Sequence, residues 1–365
     1  MTNKEMEYSL KEVKEKAIEF LEEANDSSET TFKNYRTSVN YFIYIMDCNK
    51  QRFDKINDDN KVKALNKFKN CLLNGFEYHV ESVCDVVGYT EKTFKPANRW
   101  VEVKANGVNT HLRRIITFFN NELQLKVKNY SYCDVDNPKY KALTIEHVKL
   151  LIDECPNCWK KKEIATRNAT LIKILFSNGL RIKEALGITI DDTNFIDYDE
   201  ETNKAALKPN IDINKDCTVR ICQKGRNGKD KELKVSGDVA TNIIEYINIK
   251  KVPSDYVFST TQVSTDGKAK PLSRQYFNKD VNKLAKFVDE RYNTKTTGYD
   301  NISDVVKNNS SHVFRHSFGV DCLERRQLNI RIVQKAMRHK SLNSTMIYTD
   351  PSEKIIDKIY LNNDI

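Results

Sequence analysis

No run of apolar residues in the 365-residue chain approaches the length needed to cross a bilayer, about 20 in succession. The N-terminus, MTNKEMEYSLKEVKEK, mixes acids with its lysines and lacks the apolar centre of a secretory signal. Neither a membrane span nor secretion is expected, which leaves the cytoplasm. Nine cysteines, an odd number, are scattered without the paired spacing of a disulfide framework, and this also fits a reducing compartment. One CxxC occurs, Cys155 and Cys158 in ECPNCWK, and no second CxxC or CxxH completes the four ligands of a structural zinc. GxxxxGKS/T, GxGxxG and HExxH are all missing, and with them the usual signatures of nucleotide and zinc chemistry. No cofactor or metal is expected, and no segment repeats.

What the chain does have is charge. Lys and Arg number 60 against 51 Asp and Glu, a net +9. That excess suits a soluble protein that meets a polyanion, nucleic acid first, although a merely basic soluble protein fits the number as well. The length is comfortable for two domains with a core in each.

Periodicity divides the chain. SLKEVKEKAIEFLEEAN, TTFKNYRTSVNYFIYIM, KVKALNKFKNCLLNGFEYHVESV and NGVNTHLRRIITFFNNEL each repeat apolar residues at helical spacing, predicting a helical domain over 1–128. A polar stretch with Pro138 reads as a linker, 129–142. Thr144 then caps a helix with Glu146 in its first turn, opening a second domain, 143–365. There RNATLIKILFSNGLRIKEALGI is an apolar helix broken at Gly179 and resumed. TVRICQKGRNGKDKELKVS alternates as two strands around Asn227-Gly228, and SRQYFNKDVNKLAKFVDERY, SHVFRHSFGVDCLERR, NIRIVQKAMRH and SEKIIDKIYL are helical. The expected class is mainly α with a small antiparallel β-sheet in the C-terminal domain.

Six side chains recur in motif-like settings: Arg181 after a glycine, Lys224 on the hairpin, His312 and Arg315 one helical turn apart, then His339 and Tyr348. Each has a duller explanation. Arg181 pairs with Glu184 on a helix surface, Lys224 belongs to a solvated run with Arg226, Lys229, Lys231 and Lys234, and Tyr348 is one of 17 tyrosines. His316 reads as structural.

The six together resemble the tyrosine recombinases, the phage-integrase-type site-specific recombinases. GLRIKEALGI is similar to their first arginine box, CQKGRNGKDKELKVS to the hairpin with the family's lysine, HVFRHSFG to their His-x-x-Arg box, and RHKSLNSTMIYTD to their closing His…Tyr box. The resemblance is strong over 143–350 and weaker before it. It implies a two-domain DNA clamp, a helical core-binding domain plus a catalytic domain, that cuts and rejoins DNA through a covalent 3′-phosphotyrosine. It also implies a homo-tetramer on two double-stranded DNA sites, a bracing role for Glu184, and a C-terminal tail helix docked on a neighbour. Accessory DNA-bending proteins and a mobile-element integrase or excisionase role fit the same pattern.

The chemistry of the residues agrees. Breaking a phosphodiester without metal takes a nucleophile (Tyr348), cations on the non-bridging oxygens (Arg181, Arg315) and an acid for the leaving oxygen (Lys224). His312 suits the tyrosine proton and His339 a further contact to phosphate. Two other readings use the same residues: a type IB topoisomerase-like enzyme that relaxes DNA, and a non-catalytic DNA-binding regulator on the same scaffold. Three features depart from the pattern. Arg338 stands where the family commonly has glycine, so a different local turn is expected. Segment 197–216 has no assignment, and no room is expected for an arm-binding domain ahead of the first helices.

Overall fold

The computed structural model describes residues 6–27, 29–79, 98–135, 142–222, 231–292, 301–309 and 311–348. Contacts divide the chain into two units, Met1–Pro138 and Lys139–Ile365. The class is mainly α with small antiparallel sheets, each a two-stranded ribbon. No helix among the described residues is long and apolar enough to cross a membrane.

The first unit runs β1 (Glu7–Ser9), α1 (Leu10–Ser27), α2 (Glu29–Cys48), β2 (Lys55–Asn57), α3 (Lys61–Asn74), β3 (Phe76–His79), β4 (Asn98–Val101) and α4 (Ala105–Asn121). The apolar stripes of its helices meet in a core where Phe42 packs edge-on to Phe68 at 5.5 Å and to Phe119 at 5.4 Å. The sequence expectation of one helix through NGFEYHVESV is corrected. Gly75 ends α3 at φ +79°, and the space beside its Cα is filled by the Trp100 ring. Phe76–His79 then pairs as a strand with Asn98–Val101, a partner too distant in sequence for local periodicity to reveal. β1 and β2 also form a ribbon, Glu7 opposite Asn57. Within 129–135, the backbone N–H of Cys133 donates to Asn109 Oδ1 at 2.8 Å and the Tyr130 hydroxyl to Asn66 at 2.8 Å, so this stretch lies against the first unit.

The second unit contains α5 (Ile145–Asp153), α6 (Cys155–Cys158), α7 (Lys162–Ser177), α8 (Ile182–Leu186), β5 (Ile196–Tyr198), β6 (Ala205–Leu207), β7 (Thr218–Ile221) and β8 (Lys231–Lys234). After these come α9 (Gly237–Ile249), β9 (Ser259–Val263), β10 (Ala269–Pro271), α10 (Arg274–Tyr292), α11 (Ile302–Asn309), α12 (His312–Val320), α13 (Ile330–Ala336) and α14 (Asn343–Met346). Thr144 caps α5 as its sequence predicts, accepting from the His147 N–H. α7 is the central helix. It buries Leu171, Ile172, Ile174 and Leu175, and its Arg167 guanidinium pairs with Asp280 of α10 at 2.7 Å. The unassigned segment 197–216 contains a hairpin, β5 against β6, whose turn closes where the Asp199 N–H donates to the Lys204 carbonyl at 2.9 Å. β7 and β8 pair as expected, with Thr218 opposite Lys234. The tip of that hairpin, including Lys224, Arg226, Asn227, Gly228 and Lys229, lies outside the described residues, as does the segment SEKIIDKIYL.

Candidate active site

Two helix ends build the centre. α7 stops at Asn178, and Gly179 takes φ +55° to turn the chain away, as a C-terminal glycine does. Arg181 follows as the cap of α8, its backbone N–H donating to Glu184 Oε2 at 2.8 Å while its Nη1 donates to Oε1 at 2.8 Å. One carboxylate thus caps the helix and orients the arginine, which is why an acid three residues after this arginine fits the turn. Burial works against the Glu184 charge. The Arg181 backbone N–H, the Arg338 charge and the Arg181 side chain outweigh it, holding the carboxyl below the usual range.

The second end belongs to α13. The N–H of Arg338 donates to the Lys335 carbonyl and that of His339 to the Gln334 carbonyl, both at 3.0 Å. This is a Schellman motif with Arg338 in the left-handed position at φ +57°. The turn expected to differ from glycine's in fact keeps a glycine-like backbone, held by an arginine. Its Nη2 donates to Glu184 Oε2 at 3.1 Å and to the Gly179 carbonyl at 3.0 Å, and its Nη1 to the Ala336 carbonyl at 2.8 Å.

Arg315, on α12, lies between these ends. Its Nη1 donates to the Gly179 carbonyl and its Nη2 to the Met337 carbonyl, and only 4% of the side chain is exposed. Burial, then the charges of Arg181 and Arg338, pull its pKa down to about 9, so it stays charged at neutral pH. Three guanidiniums therefore surround one carboxylate, and the cluster is cationic.

The histidines and the tyrosine complete it. His312 is exposed at the start of α12. Partial loss of hydration, then the charges of Arg315, Arg274 and Arg181, hold its pKa below the ordinary value. His339 Nδ1 lies 2.9 Å from Thr345 Oγ1. Its pKa is lowered to about 4 by burial and by Arg315, Arg181 and Arg338. Tyr348 is buried, with its ring stacked on His339 at 6.1 Å and edge-on to His316 at 5.2 Å. Gly319 lies beneath it, where an added Cβ would be 3.1 Å from Tyr348 Cδ2.

Arg181, Glu184, His312, Arg315, His339 and Tyr348, separated by up to 167 residues of sequence, thus share one place, and Lys224 lies outside the described residues. Sequence reasoning missed the parts played by Arg338, Arg274 and Thr345. Of these, only Arg338 left a signal, as an odd residue in its motif.

The model of the Phage integrase family matches residues 141–354, the stretch that holds every one of these positions. The chain belongs to this family. It is 30% identical over 223 residues to tyrosine recombinase XerA of Pyrococcus furiosus, an alignment covering 60% of this chain and 62% of that protein. Tyrosine recombinase XerC of Rickettsia bellii is 27% identical over 246 residues, 66% of this chain and 67% of the relative. The chain thus spans about three fifths of the length of the Pyrococcus relative. Two solved structures share the fold. One is XerH site-specific recombinase bound to palindromic difH substrate, with a TM-score of 0.57, 16% identity, and coverage of 97% of this chain and 84% of that one. The other is the Tn1549 transposon integrase in complex with transposon right end DNA, with a TM-score of 0.55, 13% identity, and coverage of 96% and 99%.

Proposed function

We propose that the chain is a site-specific DNA recombinase that cuts and rejoins DNA strands through a covalent 3′-phosphotyrosine. The observation that carries this reading is the convergence of a buried tyrosine, two histidines and a guanidinium cluster held by a single carboxylate. The Tyr348 phenolic oxygen attacks the scissile phosphorus and the bond to the 5′ oxygen breaks, leaving 3′-phosphotyrosine and a 5′-hydroxyl. Arg181 and Arg315 neutralise the non-bridging oxygens, where charge accumulates in the transition state. Arg315 spends its outer nitrogens on the two helix-end carbonyls, which fixes the plane of the fork before DNA arrives. His312 takes the tyrosine proton. In the tautomer in which Nδ1 accepts from the Thr345 hydroxyl, neutral His339 carries its proton on Nε2, available to phosphate. Lys224 supplies the proton to the departing 5′ oxygen.

The two units close on a duplex as a clamp, with a core-binding domain over 1–128, a linker over 129–142 and a catalytic domain over 143–365. The partner is double-stranded DNA. The net +9 charge supports phosphate contacts as the main source of affinity, with base and shape readout choosing the site. Four copies assemble on two sites in the cytoplasm, with the tail helix docking on a neighbour. DNA-bending proteins assist, and a mobile element is the setting. The similarity to tyrosine recombinases XerA and XerC supports rejoining to a new strand over relaxation.

The test uses a pool of nicked duplexes of randomised sequence, in which the departing strand is too short to stay annealed. Wild-type protein is expected to trap a DNA adduct that survives SDS, and Tyr348→Phe none. An unmodified wild-type protein across the whole pool removes the proposal.

A further inference from the structure

We propose that Arg338 is a positioning residue of the cleavage site, clamping the turn that leads to Tyr348 onto the turn that carries Arg181. The inference rests on the recombinase reading for its consequence but not for its geometry. A left-handed backbone costs strain for a side chain other than glycine's, and Arg338 takes it at φ +57° with its side chain buried rather than in solvent. Here the side chain is 6% exposed and its fork reaches three acceptors in two segments. Nη1 holds the Ala336 carbonyl in its own helix end, and Nη2 holds both the Gly179 carbonyl and Glu184 Oε2 across the site. A cation at two helix C-termini is also well placed for the partial negative charge there.

Two consequences follow for the reacting groups. The left-handed turn sends the Arg338 side chain to Glu184 while the next residue, His339, stacks on Tyr348, so one residue sets both directions. Arg338 also occupies Glu184 Oε2, while Arg315 Nη1 stays 4.0 Å from that oxygen. Glu184 is thereby satisfied by Arg181 and Arg338, and Arg315 keeps its charge for an incoming phosphate. A Lys cannot replace the fork, because a single ammonium lacks the planar spread that reaches all three acceptors.

Arg338→Gly suits the backbone and Arg338→Lys keeps the charge, so neither variant is expected to unfold the chain. Amide exchange of the DNA-free protein is measured across 337–348, together with single-turnover cleavage and affinity on a nicked duplex. Both variants should lose protection in that segment and cleave between about tenfold and 100-fold more slowly, with affinity within about threefold of wild type. A double-mutant cycle with Glu184→Gln should show strong coupling to Arg338→Gly, because the two act through one contact. Unchanged protection in Arg338→Gly overturns the clamp, whatever the protein does to DNA. Lost protection with undiminished cleavage overturns the positioning role. A wild-type protein that forms no adduct defeats the recombinase reading instead, and the exchange arm alone then decides the clamp.

Discussion

The ring of Tyr348 lies 6.1 Å from that of His339 with the two planes 14° apart, and Thr345 Oγ1 holds the histidine at Nδ1, 2.9 Å away. The phenol is thus stored against a residue assigned to the phosphate, with His316 at its edge and Gly319 below. A phenylalanine ring keeps these ring-to-ring contacts. Tyr348→Phe is therefore expected to keep the fold and to bind DNA within about twofold of wild type, while forming no covalent adduct. Adduct formation by the Phe variant, read on denaturing gels, sinks the assignment of the nucleophile.

Gly179 serves two arginines through one carbonyl, and its backbone forbids a replacement. An alanine there takes up a left-handed φ of +55° and drives its Cβ to 2.4 Å from the Phe318 ring. Strain and overpacking together should cost about 2 kcal/mol or more. Urea unfolding of Gly179→Ala is expected to shift its midpoint down accordingly, and cleavage should fall further than stability explains because the strained turn displaces the residue-179 carbonyl that Arg315 and Arg338 share. An alanine variant as stable as wild type contradicts the turn described here.

Much of this site was legible in the sequence because its pieces are local. Arg181 and Glu184 sit three apart on one helix start, and so do His312 and Arg315, spacings that one turn of helix explains. His339 and Tyr348 were visible as a short polar turn between apolar helices. The rest was not, for physical reasons. β3 finds β4 across residues 80–97, and periodicity carries no information about so distant a partner. The β5–β6 hairpin has three-residue strands, too short to display alternation. Arg338 broke a pattern and so was visible only as a departure, while its contact to Glu184 spans 154 positions of sequence.

Acid should weaken the second unit before it weakens most of its salt links. The ordinary histidine value is 6.5, and burial with neighbouring charges holds His316 and His339 at about 4. In the window between those values the unfolded chain binds protons that the folded chain refuses, so stability falls as pH drops from 6.5 to 4 and the contribution levels off below. The lowered Glu184 carboxyl adds loss in the same direction at more acid pH. Melting temperature followed across this range should decline, and His339→Gln should flatten the slope. A melting temperature constant over the window excludes neutral, buried histidines in the folded state.

Lys224 should matter at the leaving group and nowhere else. In the proposed mechanism it gives a proton to the departing 5′ oxygen, so a substrate with sulfur at that bridging position, a far better leaving group, needs no acid. Lys224→Ala is expected to cleave the ordinary substrate very poorly and the thio substrate nearly as fast as wild type. Arg181→Ala and Arg315→Ala act on the non-bridging oxygens, and sulfur at the bridge should not rescue them to the same extent. Lys229, which follows Asn227-Gly228 in the sequence, is the natural rival. Rescue of Lys229→Ala in place of Lys224→Ala moves the acid across the hairpin. Rescue of neither makes the hairpin lysines phosphate contacts and sends the search for the proton donor back to the histidines.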